Sequence, residues 1–185
     1  MHSTTNHSSK STAHNSAKSR YTSVPLDLFK SGRLLALKPN CRGALIIQKP
    51  FYADFAGPGA AVGGTFDFSC TSVYAIGEVE FYAPASYAER QQAFQKRMDY
   101  SQKLEEILAV PSPIHRVRAI LKVLSQGLQA DLVKMIPSNL IAQLGGVLTK
   151  TVEIARQQPS IENRKRDFGR GREQFPALGL THSLY

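Results

Sequence analysis

The sequence has only two cysteines and no long hydrophobic run. Cys41 and Cys70 are too few for a disulfide framework and match no zinc-ligand spacing, so we expect two buried thiols in a reducing compartment. The longest apolar runs, such as Gly43 to Ile47 and Leu144 to Leu148, fall far short of the roughly 20 residues that a membrane helix needs. A secretory signal is also lacking. These absences predict a cytoplasmic protein that does not span a membrane.

The common catalytic motifs are absent as well. The sequence contains no nucleophile elbow, no P-loop and no His-Glu-x-x-His pair. The glycine-rich stretch from Gly57 to Gly64 does not lead into a helix, as a dinucleotide-binding loop would. His115 lies beside Arg116 rather than beside a carboxylate and a nucleophile, which favours a surface residue over a catalytic base. We therefore expect no enzyme activity, no cofactor and no metal site.

The balance of charge is strongly basic. Lys and Arg number 23 against 14 Asp and Glu, which gives a formal net charge of +9. Such an excess suits a polyanionic partner, because neutralising phosphates releases condensed counterions. Charge alone does not choose among DNA, RNA, a membrane surface and acidic proteins.

Both ends of the chain are polar and basic. Residues 1–22 are almost entirely Ser, Thr, Asn, His and Lys, a composition that cannot bury enough apolar surface to fold. The irregular spacing of the histidines in this arm favours a solvated tail over a metal site. Residues 159–185 predict a second flexible tail. Its stretch from Arg164 to Arg172 is either a nucleic-acid clamp or a solubilising segment.

Residues 23–84 predict a small β-subdomain. Short apolar, β-branched and aromatic runs alternate here with Gly and Pro. The glycine-rich residues 56–64 predict a turn-rich connector. The candidate strands are Arg33 to Leu37, Gly43 to Gln48, Phe51 to Phe55, Ser72 to Ile76 and Glu78 to Tyr82.

The second half of the chain predicts helices. Ser86 and Glu89 have the spacing of a capping box, which predicts that a long helix begins there within residues 85–110. Its broken apolar stripe needs a partner, which is either the rest of the chain or a second copy. Pro111 and Pro113 interrupt this helix, and residues 111–158 continue with apolar residues at helical spacing.

The segment from Ile136 to Gln158 predicts a helix-turn-helix. Ala142 is small enough to let a second helix cross closely, and Gly146 stands where the turn needs a left-handed residue. Val152 would return an apolar side chain to the core. The structural positions of this motif are Ile141, Ala142, Gly146, Val147 and Val152.

In the order of its segments, the chain resembles the regulators related to the cyclic-AMP receptor protein and FNR (CRP/FNR type), including the cyanobacterial nitrogen regulator. Residues 55–63 are similar to the family's Gly-Pro-Gly-Asp-Val-Phe-Gly turn, and Thr71 to Tyr82 resembles the closing strands of its β-roll. Arg90 to Leu108 looks like the dimer helix, and Ile114 to Leu124 like the helix that opens the DNA-binding domain. The resemblance implies an α+β fold with a reduced antiparallel β-roll remnant, a long dimerisation helix and a C-terminal winged-helix-like helix-turn-helix domain.

The sequence departs from this family in two places. Val24 to Pro84 gives about 60 residues where a complete β-roll takes on the order of 100, and Gly63 to Thr71 lacks the Glu and Arg that hold a cyclic nucleotide. We therefore expect no cyclic-nucleotide binding. In the second predicted helix, Thr149, Lys150 and Ile154 stand where the family often has base-reading Arg and Glu. Either the sequence preference is unusual or DNA binding is lost.

The function that these features favour is a dimeric, DNA-binding transcriptional regulator. One alternative is a module that keeps the scaffold but binds another regulator or a protein complex. Another is a sequence-tolerant nucleic-acid binder that acts through its basic tails. The predicted DNA contacts are Ser138, Thr149, Lys150, Thr151, Arg156, Arg116, Arg118 and Lys122.

Overall fold

The structure is a computed structural model that describes residues 21–157. The predictions for the basic tail, for most of the basic arm and for any wing after residue 157 lie outside the described residues. Residues 21–157 form an α+β fold. The strands are β1 (Tyr21–Ser23), β2 (Leu34–Leu37), β3 (Arg42–Gln48), β4 (Ala53–Ala56), β5 (Ala61–Gly63), β6 (Ser72–Glu78) and β7 (Phe81–Tyr82). The helices are α1 (Leu26–Lys30), α2 (Tyr87–Leu108), α3 (Pro113–Gly127), α4 (Ala130–Met135), α5 (Ser138–Gly145) and α6 (Thr149–Gln157).

The strands form two antiparallel sheets. The first sheet has the order β1-β6-β3-β4, and the second has the order β5-β2-β7. The longest pairing joins β3 to β6, from Arg42 opposite Glu78 to Gln48 opposite Ser72. Strand β3 is buried on both faces because one face packs against the second sheet and the other against the helices. This explains why its sequence is a continuous apolar run rather than an alternating one.

The β part has more elements than the sequence predicts. Strand β1 includes two residues assigned to the arm, and β5 lies within the predicted connector. The connector prediction is therefore wrong at Ala61–Gly63, which pairs with β2 and is fully buried. Alanine and glycine are depleted in strands, so a short strand made of them has little sequence signal. The five-residue helix α1 is likewise too short for a periodic pattern.

Helix α2 begins as predicted. The backbone N–H of Glu89 donates to Ser86 Oγ at 3.1 Å, and that of Ser86 donates to Glu89 Oε2 at 3.3 Å, which confirms the capping box. The apolar residues of the predicted stripe do not all lie on one side of the helix. Tyr100, Leu104 and Ile107 pack against the rest of the chain, whereas other apolar residues of the helix face outward.

The helical half and the first sheet share one hydrophobic core. Ala44 and Ile46 of β3 and Phe55 of β4 belong to the same buried cluster as Leu132 and Leu144 of the helices. The other face of the sheet forms a second core with α1 and the second sheet. The helices therefore pack directly on the β part and are not joined to it by a linker alone. Across residues 21–157, no helix is long and apolar enough to cross a membrane.

Candidate nucleic-acid interface

Helices α5 and α6 form a pair joined by a tight turn, which we call the terminal helix pair. Gly146 ends α5 with φ 55° and ψ 44°, in the left-handed region. Its N–H donates to the carbonyl of Ala142, and so does the N–H of Val147, at 3.0 Å. This arrangement satisfies a carbonyl at the helix end and reverses the chain. The N–H of Thr151 then donates to Leu148 O at 2.9 Å, at the start of α6.

The terminal helix pair packs on α3. Ile141 and Val152 are fully buried, Ala142 is 5% exposed, and Val147 is half-buried. Helix α6 contacts both α3 and α5, with Val152 facing their common core. The residues that the sequence assigned to the interior of the motif therefore lie together between these three helices.

The outer face of α6 carries few charges. Thr149 and Lys150 are exposed, and Thr151 is half-buried. The ammonium of Lys150 lies 3.1 Å from the Glu153 carboxylate, within the same helix. Leu148, at 77% exposure, and Ile154, at 36%, add apolar surface. This face offers hydroxyl, ammonium and methyl groups, which suit phosphate and thymine contacts better than bidentate recognition of guanine.

Two of the predicted phosphate contacts bind backbone carbonyls in the structure. Arg156 donates to Ile136 O at 2.7 Å and to Ser138 Oγ at 3.4 Å. Burial lowers the pKa of Arg156. Arg116 donates to the carbonyl of Gly145, the last residue of α5, at 3.1 Å. A cation is favourable where helical carbonyls are left without partners, so both arginines stabilise helix ends.

The other two predicted phosphate contacts lie on α3. Arg118 is half-buried and Lys122 is exposed. Their spacing of four residues puts them on one face of the helix. Lys122 therefore adds an exposed cation to α3, the helix on which the terminal helix pair packs.

The described part of the chain is only mildly basic. Residues 21–157 contain fifteen Lys and Arg against eleven Asp and Glu. The remaining eight Lys and Arg, and only three acidic residues, belong to residues 1–20 and 158–185. Any strong electrostatic attraction to a polyanion therefore draws on both ends of the chain as well as on the helices.

A buried ionic network that the sequence did not predict lies between α2 and the β strands and loops. Arg97, only 2% exposed, donates to Asp54 Oδ2 at 2.8 Å and to Asp67 Oδ1 at 3.1 Å. Asp67 also accepts the N–H of Gly63 at 2.8 Å and lies 3.3 Å from the ammonium of Lys49. Arg97 lies in a helix with many exposed charged residues, and no local sequence signal separates it from them. Only its contacts in the folded structure do so. Across residues 21–157, no group of His, Cys, Asp and Glu is placed to hold a metal ion.

A second exposed surface runs along α2. Tyr87, Met98 and Leu108 are 75%, 53% and 39% exposed. Tyr87, Gln91, Phe94 and Met98 follow one another at steps of four, three and four residues, the spacing of a coiled-coil seam. The same spacing reaches Leu108 through the polar Ser101 and Glu105. Phe94 is only half-buried, and its ring packs on that of Phe66, with centroids 5.2 Å apart, so α2 contacts the β strands and their loops at this point.

Comparisons with known proteins give a fold but no family. No protein-family profile matches the chain, and no curated protein matches its sequence. Among solved structures, the crystal structure of a transcriptional regulator of the CRP family from Thermus thermophilus superposes with a TM-score of 0.54 at 12% sequence identity. The match covers 81% of this chain and 84% of the regulator. The chain described here is therefore similar in fold to a CRP-family regulator.

Proposed function

We propose that the protein is a transcriptional regulator that binds double-stranded DNA through the terminal helix pair. The observation that carries this proposal is the geometry of that pair. It has a left-handed glycine turn and a second helix with one face buried on α3 and the other exposed. A recognition helix needs this combination, since it must be held rigidly while its outer face enters the major groove.

Six of the predicted DNA contacts fall into three groups. Thr149 and Lys150 project from the first turn of α6 and are the candidates for the groove, with Thr151 beside them. Lys122 and the basic ends of the chain supply phosphate contacts. Arg116 and Arg156 hold the helix ends in place and reach phosphates only at the edge of the interface.

The proposal includes a homodimer formed through the exposed seam of α2. Tyr87, Met98 and Leu108 place apolar surface in water on a helix that otherwise carries polar residues outward. A second copy would cover these side chains in a parallel coiled coil. Two-fold symmetry would then present two copies of α6 to adjacent major grooves.

The proposed regulator does not bind a cyclic nucleotide. The loop after β5 carries Asp67 as its buried carboxylate, and Arg97 and Lys49 already bind it. Bidentate recognition of a cyclic phosphate requires a free guanidinium. The buried arginine of this region instead binds two carboxylates, and displacing them would leave Asp54 without its arginine and Asp67 with Lys49 alone.

Fluorescence anisotropy of labelled random duplex DNA across a salt series tests the DNA proposal on the full-length protein. Lys150→Glu should weaken binding about tenfold and lower the salt slope by about one. Lys134→Glu is the matched control, because Lys134 is equally exposed and also pairs with an acidic residue three positions away, at 3.4 Å. Equal effects of the two variants would overturn the recognition role of α6.

A third variant separates the helix pair from the tail. Replacing the five Lys and Arg residues between positions 164 and 172 by Gln should weaken binding without abolishing it. Complete loss, with Lys150→Glu still neutral, would assign binding to the tail and support the sequence-tolerant binder instead.

Size-exclusion chromatography with light scattering tests the dimer. Met98→Glu should yield a monomer, because it places a charge in the seam of α2. Met135→Glu is the control, since Met135 is also exposed, at 43%, but lies on α4. A monomeric unmodified protein at micromolar concentration would refute the proposed assembly.

An interaction module is the second candidate, and a specific observation favours it. The only exposed cation in the first turn of α6 is paired with Glu153, and Leu148 and Ile154 flank it with apolar surface. Such a face fits a protein groove as well as a DNA groove. If the full-length protein shows no DNA affinity at low salt, this second function replaces the first.

A further inference from the structure

A cleft lies where the first sheet, α2 and α3 meet. At one end, Leu104, Ile107, Ile120, Leu124 and Leu144 line a small apolar hollow of about 20 Å³, which has room for about one water molecule. The other end has a volume of about 220 Å³ and is partly polar. The two ends share Phe55, Tyr100, Lys103 and Val123 as lining residues, so they lie side by side, and we describe them together as one cleft.

The walls of this cleft are well ordered by packing. The rings of Phe55 and Tyr100 meet edge to face, with centroids 5.5 Å apart. The hydroxyl of Tyr100 donates to Pro58 O at 3.4 Å. Gly57 lies so close to this ring that a Cβ there would be 2.5 Å from Tyr100 Cζ. The cleft is thus bounded by side chains that cannot easily rotate into it.

The polar end of the cleft is cationic. Lys103 is exposed at the mouth and forms no ion pair or hydrogen bond within residues 21–157. The remaining polar side chains there are the amide of Gln126 and the hydroxyl of Tyr100, and no Asp or Glu lines either end. An ammonium beside a concave apolar surface attracts an anion that carries a hydrophobic body.

We propose that this cleft binds a small amphiphilic carboxylate in its larger end, with its carboxylate on Lys103 and its hydrocarbon body against Phe55, Val123 and Leu128. The volume at the polar end is below the roughly 300 Å³ of drug-sized pockets, which favours a medium-chain acid over a long-chain lipid. Because its walls come from β4, α2 and α3, the occupant contacts all three parts that surround the shared core. The proposal is independent of DNA binding.

Isothermal titration calorimetry of the full-length protein with octanoate, octanol and octylammonium tests it. Octanoate should bind most tightly and octylammonium least. Lys103→Gln should weaken octanoate binding about tenfold, because it removes a charge-assisted hydrogen bond, and should leave octanol binding unchanged. Lys96→Gln is the matched control, two turns earlier on the same helix and also exposed, and should change neither affinity.

Two outcomes would overturn the proposal. One is no heat of binding for octanoate at millimolar concentration. The other is an equal affinity for octanoate, octanol and octylammonium, which would indicate non-specific hydrophobic contact. Val123→Phe supplies a second check, because Val123 lines both ends of the cleft and a larger ring there should abolish binding. Should that variant fail to fold, the exposed Lys103→Gln variant still decides the question.

Discussion

The two halves of the molecule use arginine in different ways. At the junction of α2 with the β part, Arg97 is buried and binds two carboxylates, 2.8 and 3.1 Å away. In the helical half the interior is apolar, and Arg116 and Arg156 bind carbonyls at its margin. A buried charge is costly unless every partner is present, so the β junction depends on a complete network. The helical half depends on packing and on the conformation of a turn.

This difference bears on function. The β junction fixes the orientation of α2, and with it the seam through which we propose that two copies meet. The terminal helix pair, by contrast, has its polar groups outside, where they can exchange water for a partner at little cost to folding. Substitutions should therefore separate into those that affect stability, mainly at the β junction, and those that affect binding, mainly on α6.

The largest effect should come from breaking the buried network. Arg97→Met leaves the buried Asp67 with Lys49 alone, and it should lower the free energy of unfolding by about 3–5 kcal/mol. Urea denaturation followed by circular dichroism measures this loss. Lys96→Met is the control, because its ammonium is exposed and lies 3.9 Å from Asp99, and it should have little effect. A loss below about 1 kcal/mol for Arg97→Met would mean that water or rearrangement replaces the network.

A smaller loss should follow from crowding the edge of the same junction. Gly57→Ala places a Cβ 2.5 Å from Cζ and Oη of Tyr100, which forces the ring to move and should cost about 1–3 kcal/mol. Tyr100→Leu, which removes the ring, should make the Gly57→Ala substitution nearly neutral in a double-mutant cycle. Additive effects in that cycle would show that the close approach is not the cause.

In the helical half, a glycine substitution should instead reduce stability through backbone strain. Gly146→Ala should cost about 1–2 kcal/mol, because an L side chain is strained at φ +55°. The nearest side-chain atom to the new Cβ is Arg116 Nη1 at 3.7 Å, so no clash contributes. Gly127→Ala is the control, since its Cβ would meet nothing within 4 Å and its φ is not positive. That variant should be neutral or slightly more stable, and equal losses for both would refute the argument.

The helical half could be predicted from the sequence because its signals are local. Apolar residues at helical spacing, the Ser86 and Glu89 capping box and the glycine at position 146 each act within a few residues. Such local signals do not predict which side chains of α6 are exposed and able to contact DNA. The structure brings Thr149 and Lys150 to the surface but directs Arg156 to the end of α4.

The β junction could not be predicted in the same way because its determinants are distant in sequence. Arg97 lies 43 residues from Asp54 and 30 from Asp67, and no periodic pattern joins them. Strand β5 is three residues of Ala, Val and Gly, which become a strand only by pairing with β2. The apolar run of β3 indicated a buried strand, but which layer covers each face is a tertiary property.

The smallest effect should come from an exposed ion pair in the same half as the buried network. Lys38 Nζ and Glu80 Oε2 lie only 2.6 Å apart, closer than Arg97 and Asp54, but their side chains are 53% and 63% exposed. If the distance between the charged atoms determined stability, Lys38→Met would lower the free energy of unfolding as much as Arg97→Met. Solvent screening and side-chain entropy instead predict a loss of about 0.5 kcal/mol or less, which should vanish at about 1 M salt. Urea denaturation at low and high salt distinguishes the two rankings. A loss for Lys38→Met as large as that for Arg97→Met would show that burial is not what separates these contacts.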